Sequence, residues 1–354
     1  MFKILQSITY VGNSDMAIAY GSTRLKLDEI NRLRKAGYRI VGRHSAVKIC
    51  HWTKSVLRGG KNCYKGWYGV ESHRCLQMTP SLQYCNMMCV FCWRHHTINR
   101  IKPYGGEWDS PEEILDGLIK EQRQLLSGFK GNPKVDPRLY NEAMEPNNAA
   151  ISLDGEPTLY PFLGELIKVF HERGMTTFLV TNGTMPEMLK ILPDVGAEPT
   201  NLYISLYGPD RRTHVRTCRP LINDSWERLI DSLRVMNMFT ESRRVIRLTL
   251  VKGYTMRDPE KYVELIRIAD PDFIECKGYM HVGESQKRLP RSAMPSVMEV
   301  EKFAKSLQAH LKGYDYIAKD VPSRVCLLAK KTSPHYDEAL KNAERMGELI
   351  QNTS

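Results

Sequence analysis

Nine cysteines are spread unevenly along the 354 residues: six lie between positions 50 and 92, while Cys218, Cys276 and Cys326 stand alone. Cys85, Cys89 and Cys92 have three and then two residues between them. Three thiolates can hold three corners of a cubane 4Fe-4S cluster, which ordinarily takes four cysteines, so one iron stays open to an outside molecule. Zinc is the alternative, with His95 or His96 as fourth ligand, although zinc motifs favour pairs of ligands two residues apart. Cys50, Cys63 and Cys75 are separated by twelve and then eleven residues, a spacing foreign to common zinc fingers, and again they number three. A second 4Fe-4S cluster with an open iron is the preferred reading there, ahead of structural zinc or free thiols. The three solitary cysteines read as small buried hydrophobes.

An alternation of strands and helices must position these loops. Strands are predicted near 81–84, 149–153, 176–181, 202–206, 244–251 and 272–277, with a further one at 323–330. Helices are predicted near 27–35, 111–126, 162–173, 225–238, 259–269, 297–311 and 335–350. Ser110 before Pro111, with Glu112 and Glu113 in the first turn, is a well-formed helix start. Repeated strand-helix units imply a parallel sheet with crossover helices, closed or partly closed into a barrel. Residues 1–45 open with strand-like Lys3 to Leu5 and Ile8 to Tyr10. Residues 44–80 read as irregular loops organised by metal rather than by a packed core, and 130–148 as a long insertion.

Composition bounds the rest. Hydrophobic content of 42% and charged content of 26% fit a folded globular chain. The N-terminus has no basic and apolar leader pattern, and no apolar run reaches the length of a membrane span, so a cytoplasmic address without a membrane partner is expected. In that compartment clustered cysteines point to metal chemistry rather than a disulfide framework. Lys and Arg exceed Asp and Glu by 51 to 40, which makes a polyanion a plausible partner.

The Cys85-Cys89-Cys92 spacing, with Phe91 before the third cysteine, resembles the radical S-adenosylmethionine superfamily. That resemblance implies an α/β fold, a partial TIM-type (β/α)6 barrel, and S-adenosylmethionine chelated to the open iron as the source of a 5'-deoxyadenosyl radical. It also implies cofactor contacts at Gly155, Glu156 and Pro157, at Thr181 and Asn182, and at Ser205, all near C-terminal strand ends. The cysteines at 50, 63 and 75 ahead of this motif, Lys65 and Gly69 between them, and the segment from Glu275 to Gly283 narrow the resemblance to the wyosine-forming tRNA enzymes of that superfamily. The expected division is an N-terminal cluster-binding extension at 1–78, the barrel at 79–330 and a polar helix or tail at 331–354.

The narrower resemblance implies two 4Fe-4S clusters. It implies condensation of N1-methylguanosine, beside the anticodon of tRNA-Phe, with pyruvate to give a tricyclic base. The flavodoxin segment of the eukaryotic forms has no counterpart in these residues, so the archaeal type is expected, a monomer served by a separate flavodoxin- or ferredoxin-type electron donor. Pyruvate is expected on the open iron of the second cluster, with Lys65 completing an imine or pairing with the carboxylate. Arg211, Arg212, Arg216 and Arg219 after the fourth strand, with Lys287 and Arg288 after the sixth, are the expected tRNA footprint. Arg243, Arg244, Arg247 and Arg291 are added to the same rim, and Trp93, Tyr207 and Tyr279 are candidate stacking residues. Two other readings are kept: a radical enzyme with an auxiliary cluster acting on a peptide or another RNA, and a non-catalytic, metal-stapled nucleic-acid-binding protein.

Overall fold

A computed structural model describes residues 25, 27–96 and 104–350, so the strand-like opening expected at 3–10 lies outside the described residues. Helix α1 (Leu27–Lys35) leads to β1 (Arg39–Val41) and β2 (Ser45–Val47), then α2 (His51–Leu57) and β3 (Cys75–Thr79). After α3 (Pro111–Ser127) and α4 (Pro137–Ala143) come β4 (Asn148–Ile151), α5 (Leu163–Glu172), β5 (Thr176–Thr181) and α6 (Pro186–Asp194). The chain continues through β6 (Asn201–Leu206), α7 (Arg211–Cys218), α8 (Ser225–Val235), β7 (Arg243–Leu250), α9 (Pro259–Ala269) and β8 (Phe273–Gly278). It closes with α10 (Val297–His310), β9 (Tyr314–Asp320), β10 (Val325–Lys330) and α11 (Tyr336–Arg345).

All ten strands form one sheet in the order β1-β2-β3-β4-β5-β6-β7-β8-β10-β9. Strands β3 to β8 are parallel neighbours joined by crossover helices, the six-strand arc expected of a partial barrel. Antiparallel strands extend it at both ends. No helix among the described residues is long and apolar enough to cross a membrane.

Strand alternation divides the core in two. Leu179, Ile204, Ile246, Leu248 and Ile274 turn outward under Ile114, Leu118, Ile167, Phe170 and Leu229 of the helices. Phe178, Tyr203, Val245, Phe273 and Leu327 turn inward, where Tyr64, Trp67, Tyr68 and Val70 meet them. The segment expected to be metal-organised loop is therefore a packed plug. Its aromatic residues sit on a short 3-10 helix, Tyr64–Tyr68, which presents them together to the strands. Helix α11 backs this plug: Asn342 Nδ2 donates to Trp67 O at 3.1 Å, and Trp67 Nε1 donates to Glu348 at 2.9 Å.

The first parallel strand departs from the sequence expectation: it is Cys75–Thr79, and residues 81–84 form turns and bends. Pro80 lacks the N–H a ladder needs, so pairing ends at Thr79. Within the expected long insertion, α4 forms behind Asp136, whose side chain caps Arg138 N at 2.8 Å.

A candidate radical S-adenosylmethionine site

The shift of β3 places the two cysteine triads at its two ends. Cys75 begins the strand and the loop holding Cys85, Cys89 and Cys92 follows it; four residue steps of roughly 3.3 Å separate Cys75 from Thr79, about 13 Å in all. The triads thus bracket an interior rather than share a loop.

At the C-terminal end, Cys85, Cys89 and Cys92 group with Met87, Phe91, Tyr207 and Cys218. The loop is tied to α7 through backbone bonds from Met88 N to Cys218 O and Val90 N to Thr217 O, both 2.9 Å. Arg288 fastens its other side, donating to Val90 O at 3.2 Å and to Cys92 O. Beneath it runs Gly155, at φ +67, where a Cβ would lie 2.0 Å from Ser81 O and 2.6 Å from Tyr84 O. Only glycine lets that backbone pass.

Glu156 is 2% exposed. Its Oε1 accepts from Thr158 N at 3.1 Å, Thr158 Oγ1 at 2.6 Å and Thr181 Oγ1 at 2.7 Å, while Oε2 accepts from Asn182 N at 2.8 Å. Burial pushes its carboxyl above the usual range, against the pull of those donors. Glu156 therefore joins the Gly155-Pro157 turn to the end of β5. From there Asn182 Nδ2 donates to Asn86 Oδ1 at 2.9 Å and reaches Cys85 Sγ at 3.9 Å. Ser205, on β6, is buried and hydrogen-bonds Tyr207, whose ring lies 5.0 Å from that of Phe91. The sequence-predicted cofactor residues converge on one shelf beside the cysteine loop.

At the other end, Cys50 precedes α2, Cys63 precedes the Tyr64–Tyr68 turn, and Cys75 accepts from Asn148 Nδ2 at 3.3 Å. Burial and the neighbouring Cys50 push Cys63 up to about 12 and Cys75 up to about 11. None of the nine cysteines forms a disulfide. Among the described residues no three His, Cys, Asp or Glu side chains converge as they would on a single metal ion; a cubane takes its thiolates further apart than one ion does.

Lys65 is half-buried, its Nζ 4.1 Å from the Phe178 ring centre and 5.6 Å from that of Tyr203. Burial, then Arg247, pulls its ammonium below the ordinary lysine range. Arg247 is not on the rim: it faces the interior, 2.8 Å from Glu275. Arg243 and Arg244 open β7 at the end away from the cysteine loop, paired with Glu338 and Asp272. These three leave the proposed footprint because they sit on the sheet, at its far end or on its inner face, away from the mouth. Arg211, Arg212, Arg216 and Arg219 are exposed on and just beyond α7, and Lys287 and Arg291 are exposed as well. Arg211 meets Glu227, Arg216 stacks 4.5 Å from the Tyr254 ring centre, and Lys287 pairs with Glu284. Of the stacking candidates, Trp93 is 52% exposed, Tyr207 is half-buried and Tyr279 is buried.

Arg247, Glu275 and Lys277 were missed as a set. The signal was available: charged residues at inward positions of strands that are otherwise apolar.

Known proteins place this arrangement. The Radical SAM superfamily profile matches residues 79–266, and the profile for wyosine base formation matches 268–330. An S-adenosyl-L-methionine-dependent tRNA 4-demethylwyosine synthase of Pyrococcus abyssi is 50% identical over 301 residues, covering 85% of this chain and 88% of its own. The chain belongs to the tRNA 4-demethylwyosine synthase family. Two solved structures are similar: TYW1 with a lysine-pyruvate adduct bound, at 37% identity, TM-score 0.77 and coverage of 88% and 98% of the two chains, and archaeal TYW1, at 35%, 0.72 and 87% and 98%. Membership brings S-adenosylmethionine, a 4Fe-4S cluster and action on tRNA in making the wyosine base. The donor set fits that cofactor: three cysteines outside any disulfide on one loop, beside a glycine-floored shelf.

Proposed function

We propose that this chain condenses N1-methylguanosine, beside the anticodon of tRNA-Phe, with pyruvate to form the tricyclic 4-demethylwyosine base. One observation carries the reading: Lys65 projects into the same inward face of the sheet whose far end holds the cofactor shelf. The similar TYW1 structure with a lysine-pyruvate adduct supports giving Lys65 that role here.

Cys85, Cys89 and Cys92 would hold the first cluster; Gly155, Glu156, Pro157, Thr181, Asn182 and Ser205 would shape the S-adenosylmethionine seat; Cys50, Cys63 and Cys75 would hold a second cluster. When bound and reduced, the cofactor supplies a primary carbon radical strong enough to take hydrogen from a methyl group. The protein's own part is placement. Lys65 attacks the ketone carbon of pyruvate, a C–N bond forms, the carbonyl oxygen leaves as water, and the substrate is fixed as an imine. The buried Tyr64–Trp67–Tyr68 plug would keep water from the inner wall beside Lys65. Arg211, Arg212, Arg216, Arg219 and Lys287 would engage tRNA phosphates at the mouth, and Arg288 would steady the cysteine loop beneath them. The chain acts as a monomer and takes electrons from a separate flavodoxin- or ferredoxin-type protein.

Borohydride reduction in the presence of pyruvate, followed by peptide mapping, tests the assignment. It predicts a reduced pyruvate adduct on Lys65 that is lost in Lys65→Met. An adduct on another lysine, or none, would remove Lys65 from the mechanism.

A further inference from the structure

Four charged side chains share the inner wall of the sheet. Arg247 pairs in register with Glu275, and Lys277 with Thr249, on the face that also carries Val245 and Phe273. Glu275 is fully buried and its carboxylate is consumed. Oε1 accepts from Tyr68 OH at 3.0 Å and Tyr203 OH at 2.9 Å, and Oε2 accepts from Arg247 Nε at 2.9 Å. Arg247 in turn donates to Tyr64 OH at 3.0 Å and rests 4.6 Å over the Tyr203 ring. Arginine and glutamate cancel as a unit.

The two lysines are left over. Lys65 lies over Phe178, and Lys277 lies 4.6 Å over the Tyr64 ring with a long 3.4 Å hydrogen bond to Ser323 O. Among the described residues neither has a carboxylate within ion-pair distance. Ring faces offset part of the cost of removing a cation from water, but less than a carboxylate does. Lysines without a carboxylate partner on this wall leave positive charge that a small anionic substrate would complement. Lys277 covers the ring of Tyr64, whose hydroxyl accepts from Arg247, and Arg247 covers the ring of Tyr203, which also lies 5.6 Å from Lys65 Nζ, so the lysines face one region. A 2-oxo acid carries its carboxylate directly on the ketone carbon, so the groups that recognise the two must be close neighbours.

We propose that Lys277 binds the carboxylate of the 2-oxo acid while Lys65 engages its ketone carbon, which makes Lys277 the residue that selects a 2-oxo acid over a neutral ketone. The inference rests on the Lys65 assignment above. Lys277 touches the substrate only through charge and hydrogen bonds; no bond to carbon forms there.

The test uses the cluster-reconstituted enzyme. Lys277→Met keeps an unbranched side chain and removes the charge; Lys277→Arg restores a cation. Loss of one charge-assisted hydrogen bond should raise the half-saturating pyruvate, for both the trapped Lys65 adduct and tricyclic nucleoside formation, by about ten- to a hundred-fold in Lys277→Met. Methyl pyruvate, whose ester is uncharged, should shift by less than about threefold in trapping, and Lys277→Arg should recover part of the pyruvate loss. Unchanged pyruvate dependence in Lys277→Met would overturn the proposal and leave the carboxylate to the second cluster's iron. Equal losses for pyruvate and its ester would overturn it too, since the defect would then not be one of charge. Failure of the Lys65 reading is separate: the unaltered chain would yield no adduct on Lys65, while the KM for pyruvate would still report on Lys277.

Discussion

Four donors converge on the Glu156 carboxyl and oppose the burial that pushes it above the usual range. Glu156→Gln keeps the shape but turns an NH2 toward one of those donors. The expected cost is about 1–3 kcal/mol, read as a lower anaerobic melting temperature together with weaker S-adenosylmethionine binding. An unchanged melt would show that the staple is not structural. His214 gives a second residue-scale prediction. It is buried between Ser225 Oγ, 3.2 Å away, and the Trp226 ring, and burial pulls it from 6.5 down to about 4. The folded value lies below the unfolded one, so its contribution is whole above about pH 6.5 and is lost as pH falls toward 4, about 3 kcal/mol in all. Melts taken across that window should show the decline, and His214→Gln should flatten it. At this scale the grouping of Cys85, Cys89 and Cys92 near the Gly155-Glu156-Pro157 turn was legible, because the motif's spacing fixes the order of those segments along the chain. That the Glu156 carboxylate turns to Thr181 and Asn182, or that Arg288 holds loop carbonyls, depends on strands brought together from afar, which spacing does not encode.

The elements carry the site by fixing loops to one another. Helices α3, α9 and α10 and strands β5 to β8 were readable from their clean apolar periods, and Ser110 and Ser296 open α3 and α10 with full capping boxes. Helix α7 was not, since Arg211–Cys218 is dominated by polar residues. Tertiary packing decides it: Asp210 Oδ1 caps Thr213 N at 2.8 Å, and the C-terminal carbonyls meet the cysteine loop. The same limit hid the plug, where glycines and scattered charges masked Tyr64, Trp67 and Tyr68. Trp67 is wholly buried against both the inner wall and α11. Trp67→Ala should therefore cost about 3–5 kcal/mol and, because Cys63 and Lys65 lie just before it in sequence, should lower iron per chain toward half on reconstitution. Full iron content in that variant would separate the plug from the second cluster.

Across the whole molecule, the excess of basic over acidic residues, 51 against 40, becomes functional where it is unpaired. Arg212 and Arg219 are exposed on and just beyond the helix that meets the Cys85–Cys92 loop, whereas Arg243, Arg244 and Arg247 are tied to carboxylates. Replacing Arg212 and Arg219 with alanine should weaken tRNA binding and flatten its salt dependence, by about one log-log slope unit for each phosphate that is no longer neutralised. Binding titrations at several salt concentrations would reveal this, and an unaltered slope would move the footprint elsewhere. The barrel class was readable from strand-helix alternation, while the opposition of two triads across β3 emerged only with a strand that runs from Cys75 to Thr79. On that opposition rests the proposal of a radical source at one end of β3 and a keto-acid lysine near the other. The most direct measurement is an anaerobic reaction with S-adenosylmethionine, reductant, carbon-13 pyruvate and tRNA bearing N1-methylguanosine, with mass spectrometry of the digested nucleosides. The account predicts a tricyclic nucleoside that carries the label and disappears in Lys65→Met. An unlabelled tricyclic product, or a labelled one that persists without Lys65, would contradict it.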